Sequence, residues 1–149
     1  MTSFFFTNDA RRQGIGLAIV RIMTGIVFMV HGGQKLFQFG IAGVTGSFGQ
    51  MGIPMPGITA PLVSIVEFAG GLALIIGLLT RLAALGLAIN MLGAILLVHI
   101  SAGFFMPAGY EFALTLFASC LALVIGGPGP FSIDDGIGRR RAGATTATY

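Results

Sequence analysis

Charged residues are scarce in this chain, and tryptophan is absent. Only 9% of the 149 residues are Asp, Glu, Lys or Arg, whereas 55% are hydrophobic. A water-soluble domain carries about 25% charged residues on average. The composition therefore excludes an ordinary soluble domain and indicates a membrane protein, in agreement with a mean hydropathy of +0.95.

Cysteine is nearly as scarce, because Cys120 is the only one. The chain can form no internal disulfide and no CxxC redox pair. The sequence also lacks a phosphate-binding loop, a nucleophile elbow and a His/Cys array at zinc spacing. If the protein takes part in redox chemistry, its own thiols do not carry it, and no metal ligand set is predicted.

The chain has, instead, four apolar stretches, each about long enough to cross a hydrocarbon core of about 30 Å. We predict an all-α polytopic membrane protein, a four-transmembrane-helix bundle that occupies residues 1–136. The basic residues 137–149 are predicted to be a disordered tail. The four predicted spans cover about residues 14–36, 57–79, 82–102 and 110–127.

The arginines outside the spans lie on one side of the predicted membrane. Four crossings place both termini and the short turn around Arg81 on the same side, and the opposite side has only Lys35 nearby. The positive-inside rule therefore predicts cytoplasmic termini. The pI near 9.8 follows from this topology and does not indicate nucleic-acid binding, because no basic stripe with interleaved aromatics is present. The arginines concerned are Arg11, Arg12, Arg81, Arg139, Arg140 and Arg141.

Other segments give weaker expectations. Phe4 to Phe6 are expected to anchor the first span at the headgroup level, and Thr45 is expected to cap a short helix in the uncharged connection from Phe37 to Pro56. Small residues spaced by four predict close helix contacts, within the bundle or between copies. These stripes are Ala69, Ala73 and Gly77 in the second span and Ala118, Ala122 and Gly126 in the fourth.

Ionisable residues inside a span are costly, so each is a candidate for function. Glu67 falls near the predicted midplane and Arg21 about 10 Å from the cytoplasmic side. We expect the two to pair, because neither charge is tolerated alone in hydrocarbon. The pair would either fix the helix register or form a proton or quinone-headgroup site with Glu67 as the proton acceptor.

A second cluster is predicted in the outer third of the membrane, formed by His31, Lys35, His99 and Glu111. These groups could bind a quinone carbonyl, relay protons or ligate a metal, although polar packing near the interface is favoured over metal or haem ligation. Asn90 is nine residues from His99, and α-helical geometry puts the two on opposite faces. Asn90 is therefore excluded from this cluster and expected to form an interhelical hydrogen bond.

Several segments resemble the DoxX family of small four-helix bacterial membrane proteins. The most specific is Glu-x-x-Gly-Gly followed by Gly-x-x-Thr-Arg, between Glu67 and Arg81, and the second is GPG-x-x-S-x-D, from Gly127 to Asp134. RIMTGIVFMVHGGQKL and FGQMGIPMP extend the similarity, and Glu67 and Arg21 match the family pattern. The resemblance implies a multi-pass subunit of the bacterial inner membrane that works near quinones and partner proteins.

Three functions follow from these observations. The first is an accessory subunit of a membrane redox complex that handles quinone or protons near Glu67, Arg21 and His31. The second is a non-catalytic structural or assembly subunit of a larger membrane complex. The third is a transporter built from oligomers, because four helices alone enclose little space. Enzymatic activity and the identity of any cofactor stay open at this point.

Overall fold

A computed structural model describes residues 9–146, including side chains up to residue 140. Within that range the chain is helical and contains no strand. Two of the α-helices continue into short segments with π-type hydrogen bonding, Gln34–Phe39 after α1 and Ile95–His99 after α4. The α-helices are α1 (Ala10–Gly33), α2 (Gly40–Gln50), α3 (Pro56–Ile76), α4 (Thr80–Ala94), α5 (Glu111–Gly126) and α6 (Ile133–Thr146).

The helix ends follow the local sequence. Asp9 caps α1 by accepting a hydrogen bond from the Arg11 backbone nitrogen at 2.9 Å. Pro56 opens α3, a position where its missing N–H costs nothing. Gly77 ends α3 in the left-handed conformation at φ +69°, and Gly127 follows α5 at φ +85°, both of which glycine adopts without strain.

Glycine lets α1 and α3 touch through their backbones. A Cβ placed on Gly32 would lie 2.3 Å from the backbone nitrogen of Phe68, and one on Gly71 would lie 2.4 Å from that of Met29. Gly25 faces Gly71 in the same way, 2.8 Å from its carbonyl oxygen. Such close approach increases van der Waals contact between helices, the main source of association in lipid.

The second pair, α4 and α5, packs through small and branched side chains. Ala84, Leu87 and Ala88 of α4 lie in one buried cluster with residues of α5. The bundle therefore consists of an α1/α3 pair and an α4/α5 pair. We call the end that holds residues 9–14, 77–81 and 126–146 the termini end, and the end that holds residues 39–56 and 103–110 the connection end.

The predicted helical bundle is confirmed. α1, α3 and the helix Thr80–Ala102 are long and apolar enough to cross a membrane, and α5 is a shorter apolar helix. α2 begins at Gly40 rather than at Thr45, because the chain turns sharply there, with φ +69°. The tail predicted to be disordered is helical to Thr146 in the described residues. The predicted anchor, Phe4 to Phe6, lies outside the described residues.

The backbone contacts between α1 and α3 involve other small residues than the predicted stripes, of which only Gly77 and Gly126 are closely packed. Ala69 and Ala118 are exposed, and so is Ala122. Gly77 alone of the first stripe lies tightly packed, where a Cβ would collide with Arg21 and Ser132. Gly126 of the second stripe packs against Leu17 of α1. The spacing rule located small residues correctly but did not identify the contact face, which Gly25, Gly32 and Gly71 provide.

Candidate functional site

A cavity of about 670 Å³ lies at the connection end, between the two helix pairs. Apolar side chains form most of its wall, among them Phe28, Val66 and Leu116. Its polar side chains come from different helices and lie among these apolar walls. They are His31 and Lys35 from α1 and its π segment, Thr59 and Glu67 from α3, and Asn90 and His99 from α4 and its π segment.

Glu67 is the centre of the polar group. Its carboxylate is buried, with the side chain only 5% exposed. Lys35 donates a hydrogen bond to Oε2 and forms an ion pair with it. Asn90 Nδ2 donates to Oε1 at 2.9 Å. The ion pair leaves this part of the cavity without net charge when both groups are ionised, which lowers the cost of placing a carboxylate among apolar walls.

The predicted pair of Glu67 with Arg21 is wrong. Arg21 lies at the level of Gly77, since a Cβ on Gly77 would meet its Nη1 atom. Gly77 is ten residues beyond Glu67 along α3, a separation of about 15 Å. Lys35, in the π segment after α1, lies near Glu67 because α1 and α3 run antiparallel and Gly32 packs beside Phe68.

Arg21 belongs to a separate contact at the termini end, where the segment after α5 folds back across the bundle. Arg21 is fully buried, and its Nη2 donates to the Phe131 carbonyl oxygen at 2.9 Å. The next residues bind the turn before α4, where Asp134 accepts from the Leu79 backbone nitrogen at 2.9 Å and from the Thr80 nitrogen at 2.8 Å. We call this contact the termini latch; it comprises Arg21, Gly77, Phe131 and Asp134.

The latch perturbs the carboxyl group of Asp134. Desolvation acts to raise the pKa of Asp134, but hydrogen bonds from Thr80 and Leu79, together with the Arg21 charge, outweigh it and hold that pKa below its ordinary value. A carboxylate at the start of α4 is also stabilised by the helix dipole. The latch is thus a structural fastening, and it is separate from the cavity.

Three members of the predicted outer cluster line the cavity, and one does not. His31 and Lys35 lie on the α1 side. The His31 ring also faces Phe112 of α5, with centroids 6.2 Å apart. His99 Nδ1 lies 2.8 Å from the Ala108 carbonyl oxygen. That oxygen can only accept, so Nδ1 is the donor, and Nε2 is the acceptor nitrogen of the neutral ring.

Glu111 has a different role. Its Oε1 accepts a hydrogen bond from the Met106 backbone nitrogen at 2.7 Å, and its backbone nitrogen donates to the Phe104 carbonyl at 3.0 Å. Glu111 therefore orders the connection before α5 and is not a lining residue of the cavity. Within residues 9–146, no three His, Cys, Asp or Glu side chains converge as metal ligands would.

The exclusion of Asn90 was the second error in the predicted site. Asn90 and His99 line the same cavity, although nine α-helical residues would put them on opposite faces. The segment Ile95–His99 has π-type hydrogen bonds, and a π segment has more residues per turn than an α-helix. It therefore rotates His99 less far around the axis, toward the face that carries Asn90. The expected interhelical hydrogen bond of Asn90 is present, and its partner is Glu67.

Comparisons with known proteins agree with this architecture. The protein named "Putative oxidoreductase CatD" from Bacillus subtilis is 37% identical over 109 residues, which is 73% of this chain and 78% of that protein. The "Inner membrane protein YqjF" of Escherichia coli is 36% identical over 128 residues, 82% of this chain and 92% of that protein. A Mycobacterium tuberculosis membrane protein is 33% identical over 132 residues, 81% of this chain and 80% of that protein.

No solved structure gives a significant match to the chain. The DoxX family model matches residues 16–100, a range that contains Arg21, Lys35, Glu67, Asn90 and His99. With more than half of the chain covered by that model, and with relatives above 30% identity along most of its length, the protein belongs to the DoxX family.

Proposed function

We propose that this protein is an accessory component of a bacterial inner-membrane redox system and that its cavity binds the ring of a membrane quinone. One observation carries the proposal: a cavity of about 670 Å³ with largely apolar walls and a buried Glu67–Lys35–Asn90 group. Ligand sites typically combine an apolar enclosure with a few convergent polar groups. The names of the relatives, an oxidoreductase in one case and an inner membrane protein in another, support the redox role and the location.

The polar group has free hydrogen-bonding capacity after its internal bonds are made. An ammonium group has three donors, and Lys35 uses one of them on Glu67. Asn90 uses one of its two amide hydrogens on Glu67 and keeps its carbonyl oxygen. Quinone carbonyls need donors, and quinol hydroxyls need acceptors. The same three side chains can therefore meet both forms of the ring.

Three side chains in the cavity can carry the protons that a quinone takes up when it is reduced. Conversion of a quinone to a quinol takes up two electrons and two protons. Glu67 and the two histidines can hold and pass protons, because a carboxylate and an imidazole both bind them reversibly. The electrons would come from a redox centre in a partner protein, which is why we assign this chain an accessory role.

Binding of a short-chain quinone to the purified protein in lipid nanodiscs tests the proposal. We expect saturable binding of one decylubiquinone per chain, measured by calorimetry. Asn90→Leu and Glu67→Gln should each weaken binding by about two- to tenfold, since one hydrogen bond contributes about 0.5 to 1.5 kcal/mol. Asp135→Asn is the matched control, because it makes the same acid-to-amide change at the termini end, in a residue that pairs with exposed Arg139.

Two results would contradict the proposal. One is the absence of saturable binding by the wild-type protein at quinone-to-lipid ratios typical of membranes. The other is equal affinity in the wild type, Asn90→Leu and Glu67→Gln. Either result would remove the cavity as a quinone site and leave its polar group as a packing feature.

A structural or assembly role is the second candidate, and the outer face of α5 favours it. Ala118 and Ala122 are both exposed, one helical turn apart, and small residues at this spacing let another helix approach closely. Ala118→Leu with Ala122→Leu should then abolish co-purification of a membrane partner or a second copy, with quinone binding unchanged. Unaltered complexes in native membranes would count against this candidate.

A further inference from the structure

The wall of the cavity between α3 and α4 is open to the surrounding lipid. Its lining residues on the facing sides of α3 and α4 include Leu62 and Ile89, and the segment after α4 adds Leu97. These three side chains are 58%, 64% and 54% exposed, respectively. Phe28 and Leu116, which line the cavity from α1 and α5, are only 1% and 8% exposed, whereas His31 and Phe112, closer to the connection end on the same two helices, are exposed. Leu62, Ile89 and Leu97 therefore belong both to the cavity and to the outer surface of the bundle.

The glycines of α3 and α4 show where the opening between these two helices begins. Toward the termini end, α3 and α4 are in contact: a Cβ on Gly70 would lie 3.2 Å from the Leu87 side chain, and one on Gly86 would lie 3.8 Å from Val66. At Gly93, two turns further along α4, a Cβ would meet no atom within 4 Å. We call the gap between α3 and α4 bordered by Leu62, Ile89, Gly93 and Leu97 the lateral slot.

The seam between α1 and α5 at the connection end is different. There the His31 and Phe112 rings face each other with centroids 6.2 Å apart. The contact between His31 and Phe112 spans the gap between α1 and α5. Gly93 has no side chain that could span the gap between α3 and α4 in the same way. A molecule dissolved in the bilayer thus has a path to Glu67 through the lateral slot that no side chain of Gly93 obstructs.

From these observations we infer that the lateral slot holds the single apolar chain of an amphiphile whose polar ring lies against Glu67, Lys35 and Asn90, with Gly93 setting the width available to that chain. The inference rests on the proposed function for the ring and adds the route and the chain. A molecule with a polar ring and one flexible hydrocarbon tail fits both the polar group of the cavity and the lateral slot. Its ring meets the polar group, and its tail stays in contact with lipid between α3 and α4.

Closing the slot with a side chain tests the inference. Gly93→Phe should fill it without a backbone clash, because a Cβ there meets no protein atom within 4 Å. Gly16→Phe is the matched control, since Gly16 is an exposed α1 residue whose Cβ also meets nothing within 4 Å. Two probes are compared in nanodiscs, the tail-less ring ubiquinone-0 and decylubiquinone, with each affinity corrected for the measured partition of the probe into lipid.

We expect the wild type and Gly16→Phe to bind decylubiquinone at least tenfold more tightly than the tail-less ring after this correction. Gly93→Phe should lose that preference and keep its affinity for the tail-less ring. A decylubiquinone carrying a photoreactive diazirine on its chain should label Leu62, Ile89 or Leu97 in the wild type, as mapped by mass spectrometry. That labelling should disappear in Gly93→Phe.

The possible outcomes distinguish a failure of the lateral-slot inference from a failure of the proposed quinone site. Saturable ring binding with the tail preference intact in Gly93→Phe, or with labels elsewhere, overturns the slot and leaves the quinone site standing. Labelling of the slot by a diazirine phospholipid that decylubiquinone does not displace also overturns it, because the occupant is then bulk lipid. No binding of either probe, with no saturable labelling, overturns both proposals.

Discussion

At the residue scale, the two buried charged residues among those described, Glu67 and Arg21, each have a hydrogen-bond partner. Glu67 binds Lys35 and Asn90, and Arg21 binds the Phe131 carbonyl. Sequence reasoning found the buried charges Glu67 and Arg21, because any charge within an apolar stretch is conspicuous. It did not find their partners, since the helix register that sets the depth of each residue depends on Gly25, Gly32 and Gly71 meeting across α1 and α3.

We predict that Asp134→Asn lowers the free energy of unfolding at neutral pH. The carboxylate caps α4, and loss of a cap costs about 1 kcal/mol. Because the folded state holds the pKa of Asp134 below its ordinary value, the stabilisation is full above the ordinary carboxyl pKa of about 3.9. It is lost as the pH falls through the lowered pKa. Thermal unfolding of the detergent-solubilised protein from pH 3 to pH 8 measures the effect.

Asp135→Asn is the control for this measurement. Asp135 pairs with Arg139, whose side chain is 74% exposed, and exposed ion pairs contribute about 0 to 1 kcal/mol. We expect a smaller shift than for Asp134→Asn at every pH. The interpretation of the cap would be contradicted if the wild type and Asp134→Asn differed as much at pH 3 as at pH 7.

At the scale of the helices, the two π segments decide which residues reach the cavity. Lys35 lies in Gln34–Phe39 and His99 in Ile95–His99. A periodicity argument assumes the α-helical rotation along the whole helix, so it places His99 on the wrong face relative to Asn90. The approximate limits of all four apolar helices could be read from hydropathy. The change from α-type to π-type hydrogen bonding at the ends of α1 and α4 could not be read from the amino-acid composition.

Glycine packing between α1 and α3 gives the second prediction. Gly71→Ala should destabilise the bundle by about 1 to 3 kcal/mol, the usual cost of overpacking, because its Cβ would lie 2.4 Å from the Met29 backbone nitrogen. Gly16→Ala, whose Cβ meets nothing within 4 Å, should leave the midpoint of thermal unfolding within about 1 °C of the wild type or raise it slightly. Equal midpoints for the two variants would show that α1 and α3 are not in backbone contact.

At the scale of the whole molecule, the four apolar helices place both described chain ends at the termini end, where the arginines also lie. The positive-inside rule then assigns that end to the cytoplasm and the cavity to the outer half of the membrane. This assignment of the two ends to the two sides of the membrane depends on the distribution of arginine. The packing of the helices is compatible with either orientation. Orientation is therefore a prediction that rests on the sequence.

Cysteine labelling in intact cells checks the orientation. Cys120 is fully buried and gives little background. A membrane-impermeant maleimide should label Ser101→Cys, two residues before the connection end, in intact cells. It should label Gly138→Cys, at the termini end, only after the membrane is permeabilised. The reverse pattern would place the cavity in the cytoplasmic half of the bilayer.

The termini latch also has a consequence for the timing of biosynthesis. Arg21 and its partner carbonyl at Phe131 are 110 residues apart in sequence. At about 5 to 20 residues per second, the ribosome completes Phe131 on the order of 5 to 20 s after Arg21. During that interval the first helix carries an arginine that the finished protein buries completely. We therefore expect nascent chains that end before Phe131 to keep the first helix near the membrane interface at the termini end, so that a segment synthesised after all four apolar helices fixes the final depth of the first helix.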